Sequence, residues 1–259
     1  MVTYLDKILA AHRAEASADD RSLESLIDQA SKQPSGRGFR RALTGADGLG
    51  VISEIKRRSP SKGAINLGVE VGPRAASYAR GGATCLSVLT DVDFFGGSPD
   101  DLAQARGAVS IPVLRKDFTV SAHDVCDARL MGADCILLIV AALDDVELAD
   151  FHDLAIEIGL DVLVETHDEA EVDRALAIGA NLVGVNQRDL TTFEVDQARA
   201  VRVARCLPEG VVKVAESGVR GRDDAELLRT AGYHAVLVGE SLMTSGDPAE
   251  AVADLRSVA

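Results

Sequence analysis

Cysteine is sparse in this sequence and badly placed for cross-links or metal. Cys85, Cys126, Cys135 and Cys206 are scattered, with no C-x-x-C pair, which argues against a zinc site and a disulfide framework. Cys85 and Cys135 fall in apolar stretches, where a free thiol behaves as a small hydrophobe. Tryptophan is absent. Long apolar runs are missing too. The longest, around residues 135–143, is rich in β-branched residues and reads as a strand, far short of the ~20 residues a membrane helix needs. The opening MVTYLDKILAAHRAE has no basic region followed by an apolar one. No secretory signal is expected, and the chain is placed in the cytoplasm. Basic charge is the last deficit: 27 Lys and Arg against 41 Asp and Glu give a formal net charge of −14. That balance argues against nucleic acid and anionic membranes as partners.

Lysine is especially scarce, occurring only at Lys7, Lys32, Lys56, Lys62, Lys116 and Lys213. A lysine near the end of a strand therefore stands out, and an anionic substrate would have to be drawn by a local basic site. Against these deficits stand 259 residues, 47% hydrophobic, with a mean hydropathy of +0.09. This suits a soluble globular protein, either one α/β barrel or two small domains.

The stretch 51–63, VISEIKRRSPSKG, begins as a strand and ends as a polar loop. Glu54 and Lys56 lie two apart and so share one face with Ile52. Their plain reading is a salt bridge at a strand end. The loop that follows adds Ser59, Pro60, Ser61, Lys62 and Gly63, which are hydroxyls, a fixed turn, a cation and a flexible glycine, the parts of an anion site.

Helix periodicity covers residues 3–33, broken near Asp19 and Asp20 and ended by Pro34-Ser35-Gly36. Residues 37–50 read as an irregular connector. Strands are then expected at 51–56, 84–89, 111–116, 134–140, 161–165, 182–186, 211–216 and 235–239, each rich in Val, Ile and Leu as strands covered on both faces should be. Helix starts lie between them. Ser98-Pro99-Asp100-Asp101 and Asp247-Pro248-Ala249-Glu250 pair a cap with a first-turn proline. Ser121 with Asp124, and Thr166 with Glu169, fit capping boxes or near variants. Turns at Gly82, Gly132, Gly179 and Gly232 recur roughly every 50 residues, or two strand–helix units. Eight units in ~210 residues predict a single (β/α)8 TIM barrel over 51–259, with residues 1–50 as an N-terminal helical extension packed on it. A doubly wound open sheet is the alternative, but no G-x-G-x-x-G follows the first strand.

In such a barrel the active site lies at the C-terminal strand ends. Those ends carry Glu54 and Lys56, then Arg115-Lys116-Asp117, Glu165, Asn186 with Arg188, Glu216-Ser217-Gly218, and Gly239-Glu240-Ser241. Lys213, by parity, faces away from Glu216. Small residues at the seventh and eighth ends suit a phosphate cradle, with 240–243 as a short helix whose N-terminus meets the anion; the Glu240 side chain is expected to point away.

The motifs EIKRRSPSKG, LRKDF, LVETH, GVNQRDL, VAESG and VLVGESLM, in that order and at barrel spacing, resemble the indole-3-glycerol phosphate synthase family of tryptophan biosynthesis. The resemblance implies conversion of 1-(2-carboxyphenylamino)-1-deoxyribulose 5-phosphate to indole-3-glycerol phosphate, with loss of carbon dioxide and water. It implies no metal and no organic cofactor. By resemblance Lys116 is the general acid of ring closure, with a pKa expected to be lowered by apolar walls and neighbouring cations. Lys56 holds the anthranilate carboxylate or serves as acid in the later dehydration. Glu165 is the general base, Glu54 and Glu216 set the charge and position of the lysines, and Asn186 binds a substrate hydroxyl or oxyanion. Arg188 meets the substrate or pins a loop. Ser59, Ser217, Gly218, Gly239 and Glu240 hold phosphate, Lys62 is a mobile lid cation or a plain solvated lysine, and Phe95 lines the anthranilate ring or packs the rim. His12, His123, His152, His167 and His234 lie on helices or helix starts and receive no role. The partner implied is a small phosphorylated, anthranilate-derived substrate, and the chain is expected to be a monomer or weak homo-oligomer. The alternatives are another phosphate-binding barrel, such as phosphoribosylanthranilate isomerase, and a barrel that only binds a phosphorylated ligand.

Overall fold

The computed structural model describes residues 3–189 and 193–258. Eight parallel strands close into a barrel: β1 (Gly50–Ile55), β2 (Cys85–Leu89), β3 (Val113–Lys116), β4 (Cys135–Ile139), β5 (Asp161–Thr166), β6 (Leu182–Asn186), β7 (Val212–Glu216) and β8 (Ala235–Val238). Ile52 of β1 pairs with Cys85 on one side and Leu237 on the other, so the sheet has no edge there and the open-sheet alternative is excluded. All eight expected strands are present, with ends within two residues of those expected. Val, Ile and Leu dominate because both faces are covered. Inward residues such as Ile52, Cys85, Leu114, Cys135, Leu163 and Val214 fill the barrel, and the outward ones pack against the helices.

Twelve helices are described: α1 (Tyr4–Ala18), α2 (Leu23–Ser31), α3 (Phe39–Thr44), α4 (Val71–Arg80), α5 (Pro99–Ala108), α6 (Ala122–Leu130), α7 (Asp145–Glu157), α8 (Glu169–Ala177), α9 (Gln197–Val203), α10 (Arg222–Thr230), α11 (Glu240–Met243) and α12 (Pro248–Arg256). Ser98, Ser121 and Asp247 cap α5, α6 and α12 through their side chains as the sequence predicts. Thr166 does not cap α8. It remains in β5, where its hydroxyl donates to Gly184 O at 2.8 Å, and Asp168 is the cap instead. The recurrent glycines adopt left-handed φ values of 89°, 87°, 77° and 92° at Gly82, Gly132, Gly179 and Gly232, a conformation that side chains disfavour.

The connector 37–50 is not irregular. It contains α3, which begins after Gly38 at φ 75° and seats Phe39 and Leu43, one turn apart, in the barrel-interior cluster with Ile52, Cys85, Leu182 and Val212. Six helical residues are too few to display a period, which is why α3 is not legible in the sequence. The segment before β1 thus serves both ends of the barrel. At the opposite end α1 is tied to the first turn of α7 by the Arg13 guanidinium on Glu147 at 2.7 and 2.9 Å, and to the loop after β2 by His12 Nε2 on Asp91 Oδ2 at 2.9 Å.

Candidate active site

Period-two alternation carries the apolar interior upward into charge. Above Ile52 come Glu54 and Lys56, above Leu114 comes Lys116, above Leu163 comes Glu165, and above Val214 comes Glu216. These side chains converge on a cavity of about 760 Å³ at the C-terminal mouth of the barrel. All thirteen site residues named from the sequence line it: Glu54, Lys56, Ser59, Phe95, Lys116, Glu165, Asn186, Arg188, Glu216, Ser217, Gly218, Gly239 and Glu240.

Lys116 is at the centre. Its Nζ lies 3.5 Å from Glu165 Oε2 and 4.0 Å from Glu216 Oε2. Burial works against its charge, but the carboxylates of Glu165, Glu216 and Glu54 outweigh burial and hold the ammonium above the ordinary lysine value. The lowered lysine pKa expected from the sequence is therefore corrected: carboxylates, not cations, surround it, and Lys116 is protonated throughout the neutral range. The two buried glutamates are driven apart. Burial raises Glu216, and the negative Glu165 beside it raises it further. Burial also opposes the charge of Glu165, but Lys116, His167 and the amide of Asn186 overcome it and keep that carboxyl below its usual range. The shared site thus shifts the two carboxyls in opposite directions, Glu216 upward and Glu165 downward.

Asn186 donates Nδ2–H to Glu165 Oε1 at 3.2 Å while its Oδ1 accepts from Arg188 N at 3.0 Å. Lys56 Nζ meets Glu54 Oε1 at 2.5 Å, so the salt bridge of the plain reading exists, but at the cavity wall. Arg188 pins its own loop by donating to Phe193 O at 3.1 Å. Two glycines make room for the carboxylates: a Cβ on Gly184 would collide with the carboxylate of Glu216, and one on Gly239 with that of Glu54.

The rim after β7 turns sharply. Ser217 and Gly218 have φ values of 65° and 74°, and the left-handed Ser217 is an outlier of the kind concentrated at functional sites. Gln187 Nε2 donates to Ser217 O at 2.7 Å and so holds this turn. The 240–243 helix is present as α11. The Glu240 side chain, expected to point away, instead lies over the mouth, with Lys62 Nζ at 3.2 Å and the Arg188 guanidinium at 4.0 Å. Lys213 faces outward as parity requires and donates to Ala204 O at 3.0 Å.

The sequence matches that geometry. The sequence model of indole-3-glycerol phosphate synthase covers residues 5–255. The chain belongs to the indole-3-glycerol phosphate synthase family. A synthase of this name from Laribacter hongkongensis is 48% identical over 98% of the chain and 99% of its own length, and one from Mycolicibacterium vanbaalenii is 48% identical over 98% and 93%. Family membership makes this chain a carboxy-lyase acting on a small phosphorylated substrate. Among solved structures, a thiamine phosphate pyrophosphorylase from Pyrococcus furiosus superimposes with a TM-score of 0.62 at 17% identity, over 81% of this chain and 95% of its own; it shares the fold alone.

Several residues lining the cavity are not legible in the sequence. Tyr4, Leu5 and Ile8 of α1 line the cavity, as does Phe118, whose ring centroid lies 6.3 Å from that of Phe95. Phe118 was within reach, because it shares the parity of Lys116 in the LRKDF motif. Two of the histidines lie beside buried carboxylates. His12 forms a cluster with Asp91 and Asp117, the only group among the described residues with metal-ligand spacing. Its ring nitrogen and both aspartates already have protein partners, so the cluster reads as an interlock between α1 and the loops. His167, left structural in the sequence, stands 3.6 Å from Glu165.

Proposed function

We propose that this chain carries out the reaction of its family with Lys116 as general acid and Glu165 as general base. The observation that carries the reading is the placement of one ammonium between two buried glutamates, 3.5 Å from Glu165 and 4.0 Å from Glu216. When the anilino ring carbon attacks the ketone carbon of the ribulose chain, charge develops on the carbonyl oxygen, and Lys116 supplies its proton. Loss of carbon dioxide restores the electron pair to the ring system. Departure of the hydroxyl as water then needs a base to take a proton as the indole forms, and the ionised Glu165 is that base.

Glu216, with Glu54, sets the field around the lysines. Lys56, held by Glu54, either anchors the departing carboxylate or protonates the leaving hydroxyl. A Lys56→Gln variant separates these: the first role raises KM, the second lowers kcat. Phe95 and Phe118 wall the anthranilate ring, Asn186 binds a hydroxyl of the sugar chain, and Arg188 pins its loop. Ser59 and the backbone of Ser217, Gly218, Gly239 and Glu240 receive the phosphate, with Lys62 closing over it.

Residues 1–50 form a helical extension of the barrel of 51–259, the two making one structural unit. The acidic balance supports an enzyme that binds neither nucleic acid nor anionic membrane. No helix among the described residues is long and apolar enough to cross a membrane.

The test is direct. Incubation with the carboxyphenylamino ketose phosphate is expected to produce indole fluorescence, undisturbed by tryptophan because the chain has none. Folded protein that forms no indole would overturn the reading. Turnover of phosphoribosylanthranilate instead would identify an isomerase.

A further inference from the structure

His167 stands behind Glu165, on the same strand parity and just past the end of β5. Its Nε2 lies 3.6 Å from Glu165 Oε1. Across the ring, Nδ1 lies 3.0 Å from Glu171 Oε2 in the first turn of α8, and that same oxygen accepts the His167 backbone N–H at 2.7 Å. An ionised carboxylate only accepts, so Nδ1 carries the hydrogen of its bond to Glu171. Nε2 is buried with no hydrogen-bond partner, and the charge it faces is the Glu165 carboxylate. Unprotonated, it would set a lone pair against the Glu165 carboxylate in a dry site, two acceptors with nothing between them. Protonated, it completes a chain from Glu171 through His167 to Glu165. His167 does not line the cavity, so it acts on the substrate only through Glu165.

We propose that His167 is a positioning residue for the reaction: clamped by Glu171, its imidazolium orients Glu165 and keeps that carboxylate ionised and ready to accept a proton. The proposal rests on the reading of Glu165 as the general base. The surrounding charges agree with it. Burial and the Arg199 guanidinium on α9 oppose the imidazolium, but the hydrogen bond to Glu171 and the charges of Glu165 and Glu171 outweigh them and raise its pKa. Glu165 in turn is held down by Lys116 first and His167 second, against burial.

The experiment compares kcat and KM across pH for the wild type, His167→Asn, Glu171→Gln and Glu165→Gln, with thermal melts to establish folding. Removing the imidazolium should raise the Glu165 pKa, so the acid limb of kcat should move to higher pH by roughly one unit. For His167→Asn, kcat near neutrality should fall about ten- to a hundredfold, with KM changed by less than about twofold. Glu171→Gln, which retains an acceptor for Nδ1 but removes its charge, should move the same limb in the same direction by less. A purely structural histidine would lower the melting temperature and leave the limb unmoved, and that result would overturn the proposal. If Glu165→Gln abolishes turnover while His167→Asn keeps the wild-type kcat and pH profile, the His167 role alone fails. If Glu165→Gln keeps turnover, the general-base reading fails first.

Discussion

Lys116 Nζ and Glu165 Oε2 lie 3.5 Å apart across the mouth of the barrel, so the proposed acid and base form an ion pair before any substrate arrives. The pairing has opposite effects on the two groups. It keeps the ammonium protonated and the carboxylate bare, the states in which each can do its work, at the cost of burying both. Substrate that enters between them exchanges this contact for one with a developing oxyanion and another with a proton to be removed.

Replacing Lys116 with Met should leave the barrel folded and lower kcat by about 10²- to 10⁴-fold, the usual contribution of a positioned general acid. Single-turnover measurement of indole formation checks this, and near-normal turnover would remove the acid assignment while leaving the activity itself in place.

Glu216 predicts a separation of stability from activity. Its folded pKa is raised above the ordinary carboxyl value of 4.5 by burial and by Glu165. A group shifted upward contributes stability below its unfolded pKa and loses it as pH rises through the folded one. Glu216→Gln cannot ionise, so its melting temperature relative to wild type should climb as pH is raised from below 4.5 toward neutrality. Its kcat should fall more than its affinity for a phosphate-bearing product analogue. Equal losses of both would reduce Glu216 to a scaffold for the site.

Gly184→Ala tests whether glycine in β6 exists to accommodate a carboxylate. The added methyl would collide with the carboxylate of Glu216, which must move. The variant should retain its far-ultraviolet circular dichroism and lose catalysis as Glu216→Gln does, and combining the two changes should cost little more than either alone. Full additivity would mean that the alanine acts elsewhere.

Phe39→Ala should destabilise the whole barrel. Phe39 is fully buried among the inward residues at the end opposite the active site, and truncating such a ring costs about 3–5 kcal/mol. Denaturant titration measures the loss. Affinity and kcat of the remaining folded fraction should be close to wild type, because the ring lies away from the catalytic mouth.

The barrel is legible because its strands carry a strong signal. Stretches such as CILLI and DVLVET are apolar enough to be buried on both faces, and capped helices such as the one beginning Ser98-Pro99 separate them. Where the signal fades, legibility fades with it. Helix α3 is a turn and a half long, and its function depends on Phe39 meeting residues of several strands. Thr166 looks like a cap because Thr166-x-x-Glu169 fits the pattern, yet strand pairing claims it first. The N-terminal helix looks amphipathic in the sequence, but nothing there places Tyr4 and Ile8 over the cavity.

By itself, then, the sequence determined the eight-fold alternation, the family, and the strand ends from which Glu54, Lys56, Lys116, Glu165, Asn186 and Glu216 project. Each of these follows from local chemistry, because the side-chain period of a strand is two and its apolar residues are contiguous. Only the tertiary structure decided in which direction each buried carboxyl is shifted, why the Lys116 pKa rises and does not fall, that Gly184 makes room for Glu216, and that His167 backs Glu165. Those properties depend on charges brought within a few ångströms of each other from different strands in a medium that screens them poorly, and no spacing along the chain encodes that distance.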